Sequence, residues 1–273
     1  MKTNMSSNTL LGNRLQSIIE SIHSLNVKEG DLSNLILPLL PSVHLDKEYV
    51  LSSFRYGVEN FGYEYIPYIH QNSAVKEWYP PEDLNYNGIR AFPKGISPRG
   101  LILRIINPIV EGGDYKDEYL IKGIWGYERI IDSIPPILPY FKLDFLENCI
   151  LEAWVLHKLR DFLPKYWHAN YGAVSYIYGQ ETIDELFSDN YEGDLGFAYE
   201  RNKVKDQVRS LDIEALVPQV KIDGDSATFT CAYWNHFRGL YITETKFKNE
   251  DGLVYVASEN KRCLVIHHSN ILF

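Results

Sequence analysis

Residues 219–273 carry the pattern that most restricts the fold, because apolar and polar residues alternate there in short runs that polar turns interrupt. An Asp223-Gly224 pair separates the first two runs, and such a pair is typical of a tight hairpin because both residues tolerate a positive φ. Short connections favour antiparallel neighbours. The pattern therefore predicts a C-terminal antiparallel β-meander of about five strands. The predicted strands are residues 220–222, 227–234, 240–247, 253–257 and 263–267, with joints at 235–239, 249–252 and 259–261.

The turn at residues 235–239 also predicts a register for the strands on either side of it. If Trp234 faces Leu240 across the turn, then Glu244 faces Thr230. Register matters because a slip of one residue would send every side chain to the other face of the sheet.

Helices are predicted before the meander. The first begins at a capping Ser7 or Asn8 and ends before Gly30, because its apolar residues recur at steps of three and four. Further helices are predicted at Asp46 to about Asn60, at 143–163 and at 200–216; the one at 143–163 is apolar around most of its circumference, which is typical of a buried helix. The apolar stripe of the first helix consists of Leu11, Leu15, Ile18, Ile22 and Leu25.

These elements together predict an α+β fold, with a helix-rich N-terminal and central part followed by the meander. We divide the chain into an N-terminal helical segment (1–60), a central mixed part (61–199) and a helix plus meander (200–273), or treat it as one continuous domain. Proline is frequent in 61–98, and short strands and loops are expected there because proline removes a backbone donor. Residues 101–106 are predicted to be a buried strand.

The three cysteines are odd in number and form no C-x-x-C pair, a pattern that favours reduced thiols and a cytoplasmic location. No apolar stretch approaches the ~18–20 residues that span a bilayer, and no signal peptide is recognisable at the N-terminus. We therefore expect a soluble protein without a membrane partner.

The net charge of −9 comes from the middle of the chain, since residues 111–200 contain 17 acidic and 7 basic residues, a difference of −10. Seven acids and no Lys or Arg lie between Glu181 and Glu200. Such a surface repels phosphate, so we expect no nucleic acid at the acidic middle. It is either a solvated face or a docking surface for a basic partner.

Motifs for nucleotide, nucleophile and metal sites are missing. There is no G-x-x-x-x-G-K-[ST], G-x-G-x-x-G, G-x-S-x-G or H-x-x-x-H. We therefore predict no cofactor and no metal. His157 lies on the apolar helix and is interpreted as a hydrogen-bonded core histidine, while a Cys–His pair formed by the tertiary fold stays open.

Three acid-x-Lys triplets occur: Asp114-Tyr115-Lys116, Glu244-Thr245-Lys246 and Glu259-Asn260-Lys261. The second of them, with Asp225, is similar to the D…E-x-K arrangement of metal-dependent nucleases, in which acids hold a divalent ion and the lysine positions water. The predicted register weakens this hypothesis, because Asp225 lies five residues beyond the partner of Glu244, about 17 Å away.

Aromatic residues crowd between 166 and 178, and aromatic faces suit a core, a protein interface or a stacked ligand. All three alternatives are open here. The interface or ligand candidates are Tyr166, Trp167, Tyr171, Tyr176 and Tyr178.

Four short motifs lie within about forty-five residues: Gly123-Ile124-Trp125-Gly126, Phe145-Leu146-Glu147, His157-Lys158-Leu159 and Lys165-Tyr166-Trp167. Together they resemble part of the baseplate wedge proteins of contractile secretion machines. The interval between the Phe-Leu-acid and His-basic-Leu elements is longer here than in that family. The resemblance implies a role in assembly.

The sequence favours a non-catalytic protein-interaction or assembly component of a larger cytoplasmic complex, with a protein partner or a second copy of the chain. The alternative is a hydrolase or metal-dependent nuclease using Asp225, Glu244 and Lys246, and a third reading is a small-ligand binder using Tyr171 and Tyr176. Convergence in a pocket of any two among a set of candidate groups would favour an enzyme. Those groups are His157, His168, His236, Glu244 and Cys231.

Overall fold

A computed structural model describes residues 7–28, 30–58, 62–71, 136–166, 174–188, 201–236, 238–250 and 253–266. The helices are α1 (Ser7–His23), α2 (Ser33–Ile36), α3 (Glu147–His157), α4 (Leu159–Phe162), α5 (Gln180–Leu186) and α6 (Arg201–Arg209). The strands are β1 (Gly30–Asp31), β2 (Val43–Leu45), β3 (Tyr49–Val58), β4 (Gly62–Gln71), β5 (Phe141–Leu143), β6 (Val174–Tyr176), β7 (Gln219–Asp223), β8 (Ser226–Asn235), β9 (Gly239–Glu250) and β10 (Leu253–Ile266). Short 3₁₀ turns lie at Leu37–Leu39, Leu138–Tyr140 and Ile213–Ala215.

The largest sheet has five antiparallel strands in the order β10-β9-β8-β6, and β7 pairs with the other end of β8. Trp234 faces Leu240 and Glu244 faces Thr230, which is the register that the sequence predicts. The hairpin between β7 and β8 turns through Gly224, whose φ of +57° suits a residue without a Cβ. The sheet together with the helices confirms the α+β class.

One strand occupies the place where two short strands and a joint are predicted. β10 runs through residues 259–261 without a turn, and Glu259 and Lys261 pair with Thr245 and Thr243 of β9. Irregularities in the ladder, at 256–258 and 263–265, take up the change in register. The polar triplet imitates a turn in the sequence, whereas pairing with β9 keeps it extended.

The predicted helix from Asp46 to about Asn60 is wrong, because residues 49–58 form β3. This strand pairs with β4 along its whole length, from Tyr49 opposite Gln71 to Val58 opposite Gly62. β4 is itself longer than the short strands expected in 61–98, and it contains Pro67. β4 lies at the edge of the sheet β1-β3-β4, where a missing backbone donor is tolerated. The predicted strand at 101–106 lies outside the described residues.

The predicted helix at 143–163 is divided into β5, α3 and α4, with a break at Lys158. Its central residues, 149–156, are all buried, as its apolar circumference predicts. The helix predicted at 200–216 ends earlier, at Arg209, and a 3₁₀ turn follows at 213–215.

The five-stranded sheet is packed on both faces. On one face, Phe229 and Phe247 contact a large core cluster that includes Leu15 of α1 and Trp154 of α3. On the other face lies a second cluster with residues from α5 and α6, to which Trp234 belongs. Alternation of side chains along β8 and β9 separates these two sets.

Two ion pairs with buried carboxylates join elements that are distant in sequence. Glu152 of α3 is fully buried, pairs with Arg14 of α1, and accepts hydrogen bonds from the backbone N–H (2.6 Å) and Oγ (3.0 Å) of Ser42. Glu64 of β4 accepts two hydrogen bonds from Arg160 of α4, at 2.9 and 3.0 Å. A buried carboxylate needs such partners, since an unpaired charge in the interior is very costly.

Candidate functional site

A cleft of about 900 Å³ lies where α1, the C-terminal end of α3, residues 161–165, β6 and α5 meet the sheet strands β8, β9 and β10. Its volume is in the usual range for pockets that bind small molecules, about 300–1,000 Å³. The cleft is therefore large enough for a metabolite or a cofactor-sized ligand.

Four aromatic side chains form a continuous row that runs from α3 across β6 and β8 to β9, which we name the aromatic row: Trp154, Tyr176, Tyr233 and Tyr241. Successive ring centroids are 5.3, 5.8 and 5.7 Å apart. Register positions three of these rings, because Tyr233 is opposite both Tyr176 on β6 and Tyr241 on β9. The first three members of the row line the cleft. These spacings are those of favourable aromatic contacts.

Trp154 lies at the buried end of the row. Its side chain is 1% exposed and stacks on Phe229 with the centroids 4.7 Å apart. The indole Nε1–H has no hydrogen-bond partner among the described residues. A buried donor without a partner costs about 1–3 kcal/mol, so an acceptor that reached Nε1 would be bound favourably.

Lys261 lies at the exposed end of the row. Its Nζ is 4.2 Å from the ring centroid of Tyr241 and 5.3 Å from that of Tyr233, within cation–π range. Burial lowers the pKa of Lys261, and the positive charge of Arg238 lowers it further. No ion pair to Lys261 is present in the part of the chain that the structure describes.

Glu259, two residues before Lys261, has its charge already compensated. Its carboxylate lies 3.0 Å from Nε2 of His157 and 2.7 Å from Nζ of Lys158, and Thr245 donates a third hydrogen bond at 3.3 Å. The hydrogen bond from His157, aided by Lys158, lowers the pKa of Glu259 to about 2. His157 is hydrogen-bonded, as predicted, but it is not a core residue, because its side chain is 27% exposed and pairs with an acid at the sheet edge.

The buried phenols and the buried thiol near the cleft stay protonated at neutral pH. Burial is the main cause that raises the pKa values of Tyr176, Tyr178 and Tyr233 above the ordinary value of a phenol. The thiol of Cys231, fully buried beside Thr243, has a pKa raised to about 12, mainly by burial. Because the thiolate is the nucleophile, Cys231 is unreactive at neutral pH.

The nuclease-like residues lie apart from the cleft. Glu244 and Lys246 are exposed on the face of β9 that points away from the cleft. Asp225 lies in the turn between β7 and β8. Asp225 and Glu244 are therefore not neighbours across the hairpin. Across the described ranges, no group of three or more His, Cys, Asp or Glu is arranged to hold a metal ion.

The five groups whose convergence would indicate an enzyme are dispersed where they are described. His157 binds Glu259, Nε2 of His236 is 3.3 Å from Oγ of Ser175, and Glu244 lies on the other face of the sheet. Cys231 is hydrogen-bonded to Thr243, and His168 is outside the described residues.

The five aromatic residues that the sequence singles out do not form one cluster in the described structure. Tyr176 and Tyr178 line the cleft, Tyr166 is 42% exposed, and Trp167 and Tyr171 lie outside the described residues.

Sequence reasoning missed Lys261 and Glu259 as site residues, since the triplet containing them was interpreted as a joint. If residues 259–261 are taken as part of a strand, the side chains of Glu259 and Lys261 lie on the same face, because strand side chains alternate with a period of two. That spacing is the signal by which the two residues could have been found. Trp154 belongs to the helix at 143–163 that the sequence predicts to be buried, but no pattern in the sequence indicates that its Nε1–H lacks a partner.

Within the described residues, no helix combines the length and apolarity needed to cross a membrane. No family model, no curated protein and no solved structure matches this chain.

Proposed function

We propose that this protein binds a small planar organic ligand in the cleft, with the ligand lying against the aromatic row. The observation that carries the proposal is the unpartnered indole N–H of Trp154 in the wall of a cleft of about 900 Å³ that Tyr176 and Tyr233 also line. Pockets for small molecules have aromatic and apolar walls with polar groups that orient the ligand. This cleft has an aromatic wall of Trp154, Tyr176 and Tyr233, and the rest of its lining is rich in polar and charged residues.

Two contributions favour a planar ligand with an acceptor atom. Each stacked or edge-to-face contact with an aromatic side chain contributes about 0.5–1.5 kcal/mol beyond the area it buries. An acceptor on Nε1 of Trp154 would relieve a buried donor. Binding is favoured over catalysis because Cys231 is held as the thiol and the charge of Glu259 is compensated by His157 and Lys158.

Titration calorimetry of the full chain with 2-naphthamide, a neutral planar compound with an acceptor oxygen, tests the proposal. We expect saturable 1:1 binding and a loss of affinity of about tenfold or more in Tyr233→Leu. Tyr255→Leu, on β10 away from the cleft lining, is the matched control and should bind like the wild type. Absence of saturable binding, or equal binding by Tyr233→Leu, would refute a ligand site against the row.

The assembly role and the hydrolase or nuclease alternative remain predictions. The acidic residues 189–200 lie outside the described ranges. Sedimentation of the full chain at two concentrations tests self-association, and a monomer that retains no partner on purification would contradict the assembly role. Undiminished metal-dependent nuclease activity in Glu244→Gln would remove Glu244 from the alternative.

A further inference from the structure

We infer that the exposed end of the aromatic row is an anion subsite centred on Lys261, so that the ligand is a planar molecule with a carboxylate. This inference rests on the proposed function and specifies the chemical class of the ligand.

The first support is the position of the Lys261 ammonium. Tyr233 and Tyr241 stack with their ring planes 18° apart, and Nζ lies over both rings. Extended pairing of Lys261 with Thr243 points the side chain to the cleft face of the sheet, and Lys261 lines the cleft. The cation is therefore held at the cleft mouth by the walls against which a planar ligand would lie.

The second support is the charge around Lys261. Burial is the main cause that lowers the pKa of Lys261, and the positive charges of Arg238 and Lys158 lower it further. Two groups raise the pKa of Lys261 through their negative charge, and they are Cys263 and Glu259. Glu259 is hydrogen-bonded to His157 and Lys158, so its charge is already balanced.

Among the described residues, Lys261 thus has no ion-pair partner at one end of the row, while Trp154, whose buried Nε1–H lacks a partner, lies at the other end. A carboxylate at the mouth would pair with the Lys261 ammonium. Because the mouth is exposed, added salt should weaken this attraction.

Matched probes test the inference. 2-Naphthoate and 2-naphthamide have nearly the same shape and both carry an acceptor oxygen, but the first has a negative charge at neutral pH. We expect the wild-type chain at low salt to bind 2-naphthoate about tenfold more tightly, and this preference to shrink at 0.3 M salt. In Lys261→Met the ratio of the two affinities should fall to less than about twofold.

Lys246→Met is the matched control, since Lys246 is an exposed lysine of the neighbouring strand on the opposite face. It should keep the full preference for 2-naphthoate, and Lys261→Arg should restore most of it. Equal wild-type affinities for the two probes, or a preference that persists in Lys261→Met, would overturn the anion subsite and leave the proposed function standing. Binding of neither probe would overturn both.

Discussion

Arg14→Met tests the packing that positions α1 as a wall of the cleft. Arg14 pairs with Glu152, whose side chain is 0% exposed, so the substitution leaves a carboxylate in the interior without its cationic partner. The same helix, α1, contributes Ile19, Glu20 and His23 to the cleft. Loss of the ion pair should therefore lower both the stability of the fold and the order of the cleft wall.

The expected cost is about 3 kcal/mol of unfolding free energy. Removing one partner of a buried ion pair costs about 3–5 kcal/mol, because the other charge stays buried. The lower end applies here, since Arg14 is 34% exposed and Ser42 continues to donate two hydrogen bonds to Glu152. A chain of this size loses about 2–4 °C of Tm per kcal/mol, which corresponds to a decrease of about 6–12 °C.

Urea unfolding followed by circular dichroism measures this cost for Arg14→Met, for Glu152→Leu and for the double variant. The double variant should be more stable than the sum of the single losses implies, by about 2 kcal/mol, because it removes the buried charge together with its partner. Arg209→Met makes the same chemical change at an exposed helical position and should alter stability by less than about 0.5 kcal/mol. A cost below about 1 kcal/mol for Arg14→Met, or strictly additive single losses, would refute the reasoning.

Three further predictions concern α1, the sheet edge and the thiols. Gly12→Ala should destabilise the fold by about 2 kcal/mol or more, because the added Cβ would overlap the backbone carbonyl of Tyr178; an unchanged Tm would contradict this close contact. The folded-state pKa of Glu259, about 2, is below its ordinary value of 4.5, so its stabilising effect is complete above pH 4.5 and is lost as the pH falls towards 2. The full shift would correspond to about 3 kcal/mol, but solvent screening at this exposed residue reduces it to about 1 kcal/mol. The difference in stability between the wild type and Glu259→Gln should therefore shrink by that amount between pH 5 and pH 2.5, and a constant difference would be evidence against the pairing. A disulfide reagent should modify Cys263 rapidly in the native chain and all three thiols after unfolding, whereas rapid native modification of all three would show that the other two are not buried.

The local pattern of the sequence was sufficient for α1 and for the hairpin between β8 and β9. The stripe of α1 recurs at helical steps, and its residues from Leu11 to Ile22 are buried in the structure. The register of β8 and β9 follows from a short turn, so it needs no information from the rest of the chain. Contacts close in sequence decide both features.

Tertiary pairing decided β3 and β10. Leu51, Phe54 and Val58 recur at steps of three and four, which favours a helix, but cross-strand pairing with β4 over ten positions makes the segment a strand. Residues 259–261 are as polar as a turn, and pairing with β9 keeps them extended. Propensity is a weak prior that such contacts override.

By itself, the sequence determined the class of the fold and the register of its central hairpin, because both depend on periodicity and on short turns. The cleft was decided by the tertiary structure, because its lining comes from α1, α3, β6 and the sheet, which are separated by up to hundreds of residues. No spacing rule connects Trp154 to Tyr176. Their proximity arises when burial of the apolar faces of α1 and α3 against the sheet brings these elements together.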